Sequence, residues 1–415
     1  MEVGLDWADT PEQAAFRDEV RSFIQERFPE TYRPDLESDQ SVEPEDIPGY
    51  NWPADRRSED PERRDAAVAW ADALAERGWV APHWPKEYGG AGMTVLEQFI
   101  FNEEMAGARV PMVGGIGVSL VGPTLIVHGT PEQKEEHLTK ILDGSANWRQ
   151  GYSEPGAGSD LASLQTRAIR DGDEYVLNGQ KIWTSLAHLA DWLYVLARTD
   201  PDAPKHRGIS FLLMKKDLPG ISIRPLIDLS GRHVFNETFF EDVRVPVKDR
   251  VGEENRGWYV GMTLLDFERS NITGAVNARR TLDGLRGYLK TDEGKRRSPG
   301  IEANRLNIVD RYVESEVMFN FSFRIISMQE RGLIPNHEAS VSKLFNSEMS
   351  QKIALTGTRV FGLYAQIYDR KDDRAPMKSN MTRAYQQSVS ATIAAGTSEI
   401  QRNIIATRGL GLPRG

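Results

Sequence analysis

Three stretches of different periodicity along this 415-residue chain predict an α+β protein of three parts. They are an N-terminal helical domain over 1–148, a compact antiparallel β domain over 149–254 and a C-terminal four-helix bundle over 255–415. The first rests on two near-identical helix starts. Thr10-Pro11-Glu12-Gln13 and Thr130-Pro131-Glu132-Gln133 each set a capping threonine before a proline, with a glutamine three residues on to close a capping box. Between them, 35–64 is rich in Asp, Glu, Ser and Pro and reads as a surface excursion. The second part rests on short runs of β-branched and aromatic residues. Asn178-Gly179 suits a two-residue hairpin turn within 174–183, and further strand-like runs cover 192–198, 208–214 and 237–245. From Asn255, read as a helix cap, long helical periodicity returns as far as about Thr407. It breaks near 291–300 and 370–376, which leaves lengths for a bundle.

Composition narrows the chemistry. A 39% hydrophobic content supports a substantial core. With no cysteine, disulfides, thiolate catalysis and cysteine-held metal clusters are excluded, so redox chemistry needs a bound organic cofactor. The seven histidines show no ligand spacing, and no metal is expected. A formal net charge of -10 with dispersed cations argues against a nucleic-acid surface, and Lys295-Arg296-Arg297 reads as a solvated loop. There is no apolar run of about 18 residues and no basic-then-apolar leader pattern, so the expectation is a cytoplasmic protein without membrane insertion.

The most informative segment is Gly151-Tyr-Ser-Glu-Pro-Gly-Ala-Gly-Ser-Asp-Leu-Ala-Ser163. Glycines at 151, 156 and 158 let backbone amides approach a ligand, and Ser153 and Ser159 add donors for a phosphate or a heterocyclic edge. A large anionic cofactor suits it. Neither familiar phosphate motif fits: a dinucleotide fingerprint needs glycine where Leu161 stands, and a Walker loop needs Gly-Lys-Ser/Thr where the chain has Gly-Ser-Asp.

This segment resembles the glycine-rich signature of the acyl-CoA dehydrogenase family, departing at Tyr152 in an aliphatic slot. The resemblance continues through 78–90, Asn178-Gly-Gln-Lys-Ile-Trp-Thr-Ser185, Phe240-Glu-Asp-Val-Arg-Val-Pro246 and Gly396-Thr-Ser-Glu-Ile-Gln-Arg-Asn403, so it spans nearly the whole chain. It implies FAD as cofactor and an acyl-CoA substrate dehydrogenated to the trans-2-enoyl thioester. It also implies an electron-transfer flavoprotein as acceptor and assembly as a homo- or heterotetramer, in fatty acid or steroid side-chain oxidation.

The reaction needs a base for the proton α to the thioester carbonyl. In many family members a glutamate directly precedes the Gly-Thr-Ser segment, but here that position is Ala395. A minority arrangement carries the glutamate on the first helix of the bundle within a Glu-Arg pair, which this chain matches at Glu268-Arg269. Helical spacing sets Glu268 on the face of Leu265, Ile272 and Val276, with no cation three or four residues away. Desolvation on such a face raises a carboxyl's pKa toward the value that suits a general base.

The resemblance implies further roles. Trp183 and Ser185 match the element that packs on the isoalloxazine and hydrogen-bonds its reactive nitrogen. Tyr152 and Ser153 are expected at the flavin edge, Ser159 at the pyrophosphate or the thioester end, and Thr397 with Glu399 at the adenosine side. Arg269 matches a coenzyme A-associated arginine, and the backbone N–H at Ala395 an enolate-oxygen donor. Two family elements are replaced. Arg286-Gly-Tyr-Leu-Lys-Thr-Asp-Glu-Gly294 stands where Arg-x-x-Phe-Gly is usual, and Thr356-Gly-Thr-Arg-Val-Phe-Gly362 where a Gly-Gly-x-Gly loop is usual. Similar losses mark heteromeric subunits of the steroid side-chain branch. Two alternatives stay open: a non-catalytic or half-site subunit of a heteromer, and a flavin oxidase or monooxygenase on the same fold.

Overall fold

The computed structural model describes residues 9–32, 52–263 and 271–413. Its first third is helical: α1 (Pro11–Arg27), α2 (Trp52–Asp55), α3 (Pro61–Ala75), α4 (Val95–Gly107), α5 (Gly122–His128) and α6 (Pro131–Leu142), with a π-helical turn over Gly117–Val121 leading into α5. Both expected capping boxes are present. The hydroxyls of Thr10 and Thr130 accept from the N–H of Gln13 and Gln133, whose side chains return the bond to the cap N–H. Thr94 and Glu97 form a third box at α4.

The surface excursion expected over 35–64 is corrected where its end is described. Trp52 and Asp55 are buried. The Trp52 indole donates to the Ala67 carbonyl (2.9 Å), and the Asp55 carboxylate accepts from the Tyr32 hydroxyl (2.5 Å) and the Arg63 guanidinium (2.6 Å). Acidic composition signals solvation only when each charge lacks a partner, and Asp55 has two.

One sheet of eight strands follows: β1 (Trp148–Gly151), β2 (Arg167–Asp171), β3 (Glu174–Lys181), β4 (Trp192–Arg198), β5 (Ile209–Lys215), β6 (Ile221–Ile227), β7 (His233–Pro246) and β8 (Arg250–Val251). The order is β6-β7-β3-β2-β4-β5-β8, with β1 added on β4. Most pairings are antiparallel; β1 and β2 run parallel to β4. β4 and β5 are buried almost throughout, as strands covered on both faces must be.

The hairpin turn expected at Asn178-Gly179 is not there. The turn joining β2 and β3 is Gly172-Asp173, since Asp171 pairs with Glu174 and Gly172 has φ +63. Asn178-Gly179 instead lies inside β3 at a bulge against β7, where the register shifts and Gly179 has φ +148. A Cβ there would sit 2.7 Å from the Thr166 backbone, so glycine is required by the segment that leads into β2.

The C-terminal part holds α7 (Gly257–Thr263), α8 (Ile272–Lys290), α9 (Asp292–Arg297), α10 (Ile301–Glu330), α11 (His337–Phe361), α12 (Asn380–Ala391) and α13 (Ser398–Ile404). The long helices α8, α10, α11 and α12 make the bundle. Phe99 and Ile100 of α4 join Ile272, Leu282, Met318 and Ile353 in one buried cluster, which fastens the bundle to the first domain. Two local expectations are corrected. Lys295, Arg296 and Arg297 lie on α9, where Arg297 pairs with Glu293 one turn away (2.5 Å). Asn255 does not cap α7; it takes φ +65, and its side chain accepts from the Thr199 hydroxyl (2.5 Å). Among the described residues, no helix is long and apolar enough to cross a membrane.

Candidate active site

The glycine-rich segment leaves β1 and closes on itself. Glu154 and Ala157 exchange both backbone hydrogen bonds (3.1 and 3.0 Å), which makes Pro155-Gly156 a two-residue turn. Nothing lies within 4 Å of a Cβ built on Gly156 or Gly158, and Ser159 is exposed, so the loop presents an open, donor-bearing edge.

What fixes the loop is a buried ion pair that sequence reasoning missed. Lys181, fully buried at the end of β3, donates to the Glu154 carboxylate (2.8 Å) and the Tyr152 carbonyl (3.0 Å). The same carboxylate accepts from the N–H groups of Gln165 (2.6 Å) and Thr166 (2.8 Å). Burial works to raise the Glu154 pKa, but Lys181 and these donors outweigh it and hold the carboxyl below its ordinary value. Burial pushes the Lys181 ammonium down to about 8 despite its partner. At neutral pH the pair is charged on both sides. Glu154 stood in plain view within the motif, and the signal for its partner was a lysine at an inward position of a strand.

Ser153 is brought beside the next expected element, since the Ile182 N–H donates to the Ser153 carbonyl (2.9 Å). The chain then turns sharply. Trp183 and Leu186 both adopt left-handed backbone conformations, φ +61 and φ +53, which cost about 1–3 kcal/mol each for such residues. The segment persists because β7 holds it. The Thr184 N–H donates to the Asn236 carbonyl (3.1 Å), the Leu186 N–H to the Val234 carbonyl (2.7 Å), and the Asn236 amide to the Thr184 carbonyl (3.0 Å). Trp183 is left 57% exposed, with the edge of Phe235 against it (centroids 5.8 Å apart), and Ser185 is half-buried. A strained, over-determined turn that displays an indole to the outside suits a planar ring stacked upon it.

Tyr152, expected with Ser153 at the flavin edge, behaves differently from its neighbours. Its side chain turns inward, edge-on to Tyr194 (5.8 Å), and burial raises its hydroxyl pKa well above the ordinary phenol. A Cβ on Gly261 of α7 would lie 3.0 Å from the Tyr152 oxygen, so a tyrosine in this slot goes with a glycine opposite.

Ala395, Thr397 and Glu399 gather at the start of α13, which packs on α11. Thr397 caps that helix by accepting from the Ile400 N–H (3.2 Å). Ala395 and Gly396 are left-handed, φ +52 and φ +85. The Gln401 amide donates to the Ala395 carbonyl (3.1 Å), and Lys343 of α11 to the Gly396 carbonyl (2.6 Å). With the carbonyls so engaged, this tight loop is fixed from behind and Ala395 itself is exposed. Among the described residues, no hydrogen bond or ion pair joins this loop to the 151–185 segments. Glu268 and Arg269 lie outside the described residues. The continuous helix face expected to carry Glu268 with Ile272 and Val276 is corrected: Asn271 is left-handed (φ +53) and α8 starts only at Ile272, buried, with Val276 half-buried against the bundle core.

The residues present fit a flavin dinucleotide. Open glycines and an exposed serine suit a pyrophosphate, an exposed indole suits the isoalloxazine, and a half-buried hydroxyl stands two residues away. Among the described residues, no group of three or more metal-ligating side chains is found.

Comparison with known proteins gives the same answer from outside the geometry. Family models described as the N-terminal, middle and C-terminal domains of acyl-CoA dehydrogenase match residues 51–145, 150–243 and 255–410. The chain is 38% identical to the acyl-CoA dehydrogenase IpdE1 of Mycobacterium tuberculosis over 360 residues, which are 83% of this chain and 88% of that one. It is 36% identical to the acyl-CoA dehydrogenase FadE26 of the same organism over 378 residues, 85% of this chain and 93% of the other. Among solved structures, a chain of the ChsE4-ChsE5 complex from M. tuberculosis superposes with a TM-score of 0.78 at 32% identity, covering 99% of this chain and 100% of that one. With three consecutive domains matched, the chain belongs to the acyl-CoA dehydrogenase family of FAD-dependent oxidoreductases.

Proposed function

We propose that this enzyme converts an acyl-CoA thioester to its trans-2-enoyl-CoA, with Glu268 as the base and electrons leaving through an electron-transfer flavoprotein. The observation that carries it is the strained Trp183–Ser185 turn, locked beside Ser153 and open to the outside. FAD, held by Ser153, Ser159, Trp183, Ser185, Thr397 and Glu399, supplies the two-electron acceptor for the hydrogen leaving the β carbon. The chain does the rest. Glu268 takes the α proton, Arg269 engages coenzyme A, and the Ala395 N–H stabilises the enolate-like oxygen, a donor type that contributes a few kcal/mol in related acyl chemistry. A steroid-derived acyl group is the proposed substrate class, supported by the likeness to a structure described as a steroid acyl-CoA dehydrogenase. Anaerobic bleaching of bound flavin by a panel of steroid-derived and straight-chain acyl-CoAs tests it. Bleaching by straight chains alone removes the steroid assignment, and no bleaching by any thioester removes the reaction. Of the proposed domain limits, the one after 254 is supported by β8 ending at Val251 and α7 starting at Gly257, and the one after 148 falls within one residue of the start of β1 at Trp148. A cytoplasmic location is part of the same proposal.

The Ser185 hydroxyl gives a sharper test. Placed at the flavin's reactive nitrogen, it tunes hydride acceptance more than thioester affinity, so Ser185→Ala lowers the flavin reduction rate about tenfold and leaves KM within about twofold. Stopped-flow reduction separates the two. A raised KM with wild-type reduction moves Ser185 to the substrate pocket.

A second reading, as one subunit of a heteromer, is favoured by a surface feature. Along α10, Leu306, Val309, Val313 and Val317 form an exposed apolar stripe at helical spacing, 50–80% accessible, beside Glu316 and Arg324. Together with the replaced Arg-x-x-Phe-Gly and glycine-loop elements, it supports a related acyl-CoA dehydrogenase subunit as the cover. The chain expressed alone then carries well under one FAD, and co-expression with that subunit raises FAD content and thermal stability together. Val313→Glu abolishes the gain. A homogeneous self-assembled tetramer with full flavin occupancy overturns the heteromer and leaves the dehydrogenase intact.

A further inference from the structure

Behind the Trp183–Ser185 turn lies a polar cluster that the dehydrogenation does not use. His188, in the short 3-10 turn Ala187–Leu189, stacks on His233 at the start of β7, with centroids 3.9 Å apart and planes at 19°. Asn236, fully buried, sits between the pair and the turn. It meets His233 Nε2 through Oδ1 (2.7 Å), and through Nδ2 it meets both the Thr184 carbonyl (3.0 Å) and His188 Nδ1 (3.3 Å).

The chemistry of the partners fixes the protons. A backbone carbonyl only accepts, so the atom facing Thr184 is the amide NH₂, and Oδ1 faces His233. His233 Nε2 therefore carries a hydrogen. His188 Nδ1 must present its lone pair to the amide, which makes His188 neutral with its proton on Nε2. A proton added at His188 Nδ1 turns that contact into donor against donor. The charges that bear on His188 discourage the proton too: Arg149 of β1, Lys216 just beyond β5 and the stacked His233 are all cationic or able to become so. Lys216 also donates to the His188 carbonyl (3.4 Å), which keeps the ammonium close. Burial first, then His233, holds the His188 pKa below its ordinary value.

We infer that Asn236 is a positioning residue for the cofactor-facing turn, and that protonation of His188 against His233 releases its hold and weakens flavin binding at acid pH. The device acts through Thr184, whose carbonyl anchors the two strained residues on either side. A neutral pair keeps the amide on Thr184; a charged His188 pushes the amide away, and the left-handed Trp183 loses one of its few restraints. The direction follows from linkage. Because the folded, flavin-bound form holds the His188 proton less tightly than the released form, affinity is complete at neutral pH and declines as pH falls. This inference rests on the assignment of Trp183–Ser185 to the flavin.

The test measures FAD dissociation by flavin fluorescence on the assembled enzyme between pH 5 and 8. Wild type is expected to lose about tenfold in affinity across that range, the equivalent of one hydrogen bond. His188→Phe, which keeps the stack and cannot take a proton, gives a flat profile with neutral-pH affinity near wild type. Asn236→Ala weakens FAD about tenfold already at neutral pH, with Asn236→Asp failing to restore it because a carboxylate cannot donate to Thr184. Trp183→Ala is the control for the site itself. If Trp183→Ala loses affinity while Asn236→Ala does not, or if His188→Phe keeps the wild-type slope, the positioning device is wrong and the flavin assignment stands. If Trp183→Ala binds FAD as wild type does, both fall together.

Discussion

Glu268→Gln lowers turnover at least about a thousandfold while the protein keeps its fold and its flavin. General bases contribute roughly 10² to 10⁴ to rate, and glutamine preserves the size of the side chain while removing its ability to take a proton. Nothing at the other usual location compensates. Ala395 is an exposed methyl on a left-handed turn whose carbonyl and that of Gly396 are occupied by Gln401 and Lys343, so position 395 offers a backbone donor and no side-chain proton acceptor. Rapid-quench or stopped-flow measurement of flavin reduction by a reactive acyl-CoA separates chemistry from product release. The variant still binds substrate, because coenzyme A recognition is assigned to Arg269 and not to the carboxylate. Its KM therefore stays within a few-fold of wild type as kcat collapses. Reduction within tenfold of the wild-type rate removes Glu268 as the base and reopens the non-catalytic subunit reading.

Much of this molecule was legible in its sequence, and the reasons differ by element. The Thr-Pro-Glu-Gln starts were readable because capping is a contract among four adjacent residues, settled before any tertiary contact forms. The bundle breaks at 291–300 and around 370 were readable for the same reason: glycine, proline and charge act locally. Asn178-Gly179 misled because the same dipeptide serves a hairpin turn and a bulge, and the approach of Thr166, just before β2, decides between them. Trp52 and Asp55 misled because composition counts charges without knowing their partners, here Tyr32 and Arg63. At the site, Ser153, Trp183 and Ser185 stood out through the resemblance of contiguous motifs. The residues that hold them did not. Lys181, Asn236 and Lys343 act from 27, 52 and 53 residues along the chain from Glu154, Thr184 and Gly396, and no local pattern encodes such pairings. The residues proposed to meet the cofactor lie in short motifs, and the residues that hold them are brought in by the fold.

That support makes Lys181→Met the most destabilising single change expected in the middle domain. Removing one member of a buried ion pair typically costs about 3–5 kcal/mol, because the remaining charge stays in a low-dielectric site without compensation. Here the stranded group is the Glu154 carboxylate, left to the Gln165 and Thr166 N–H groups alone. The loss concentrates where the carboxylate staples the loop, so hydrogen exchange at the amides of 165 and 166 accelerates before the bundle responds. Replacing both partners, Lys181→Met with Glu154→Gln, recovers more than half of the loss, since two neutral side chains of similar volume leave no buried charge. The pH dependence gives an independent reading. Burial brings the Lys181 pKa in the folded protein to about 8, below its ordinary 10.5. The unfolded chain thus binds that proton more tightly. The proton-linked part of Lys181's effect on stability is most favourable above about 10.5 and is lost as pH falls toward 8, so across this window wild type gains stability with rising pH. The component of slope due to Lys181 vanishes in Lys181→Met. Denaturant midpoints and exchange rates for the two variants and wild type, taken from pH 7 to 10, decide the matter. A single variant within about 1 kcal/mol of wild type at pH 7, with unchanged exchange at 165 and 166, means the loop is held by its Glu154–Ala157 turn and not by the buried pair.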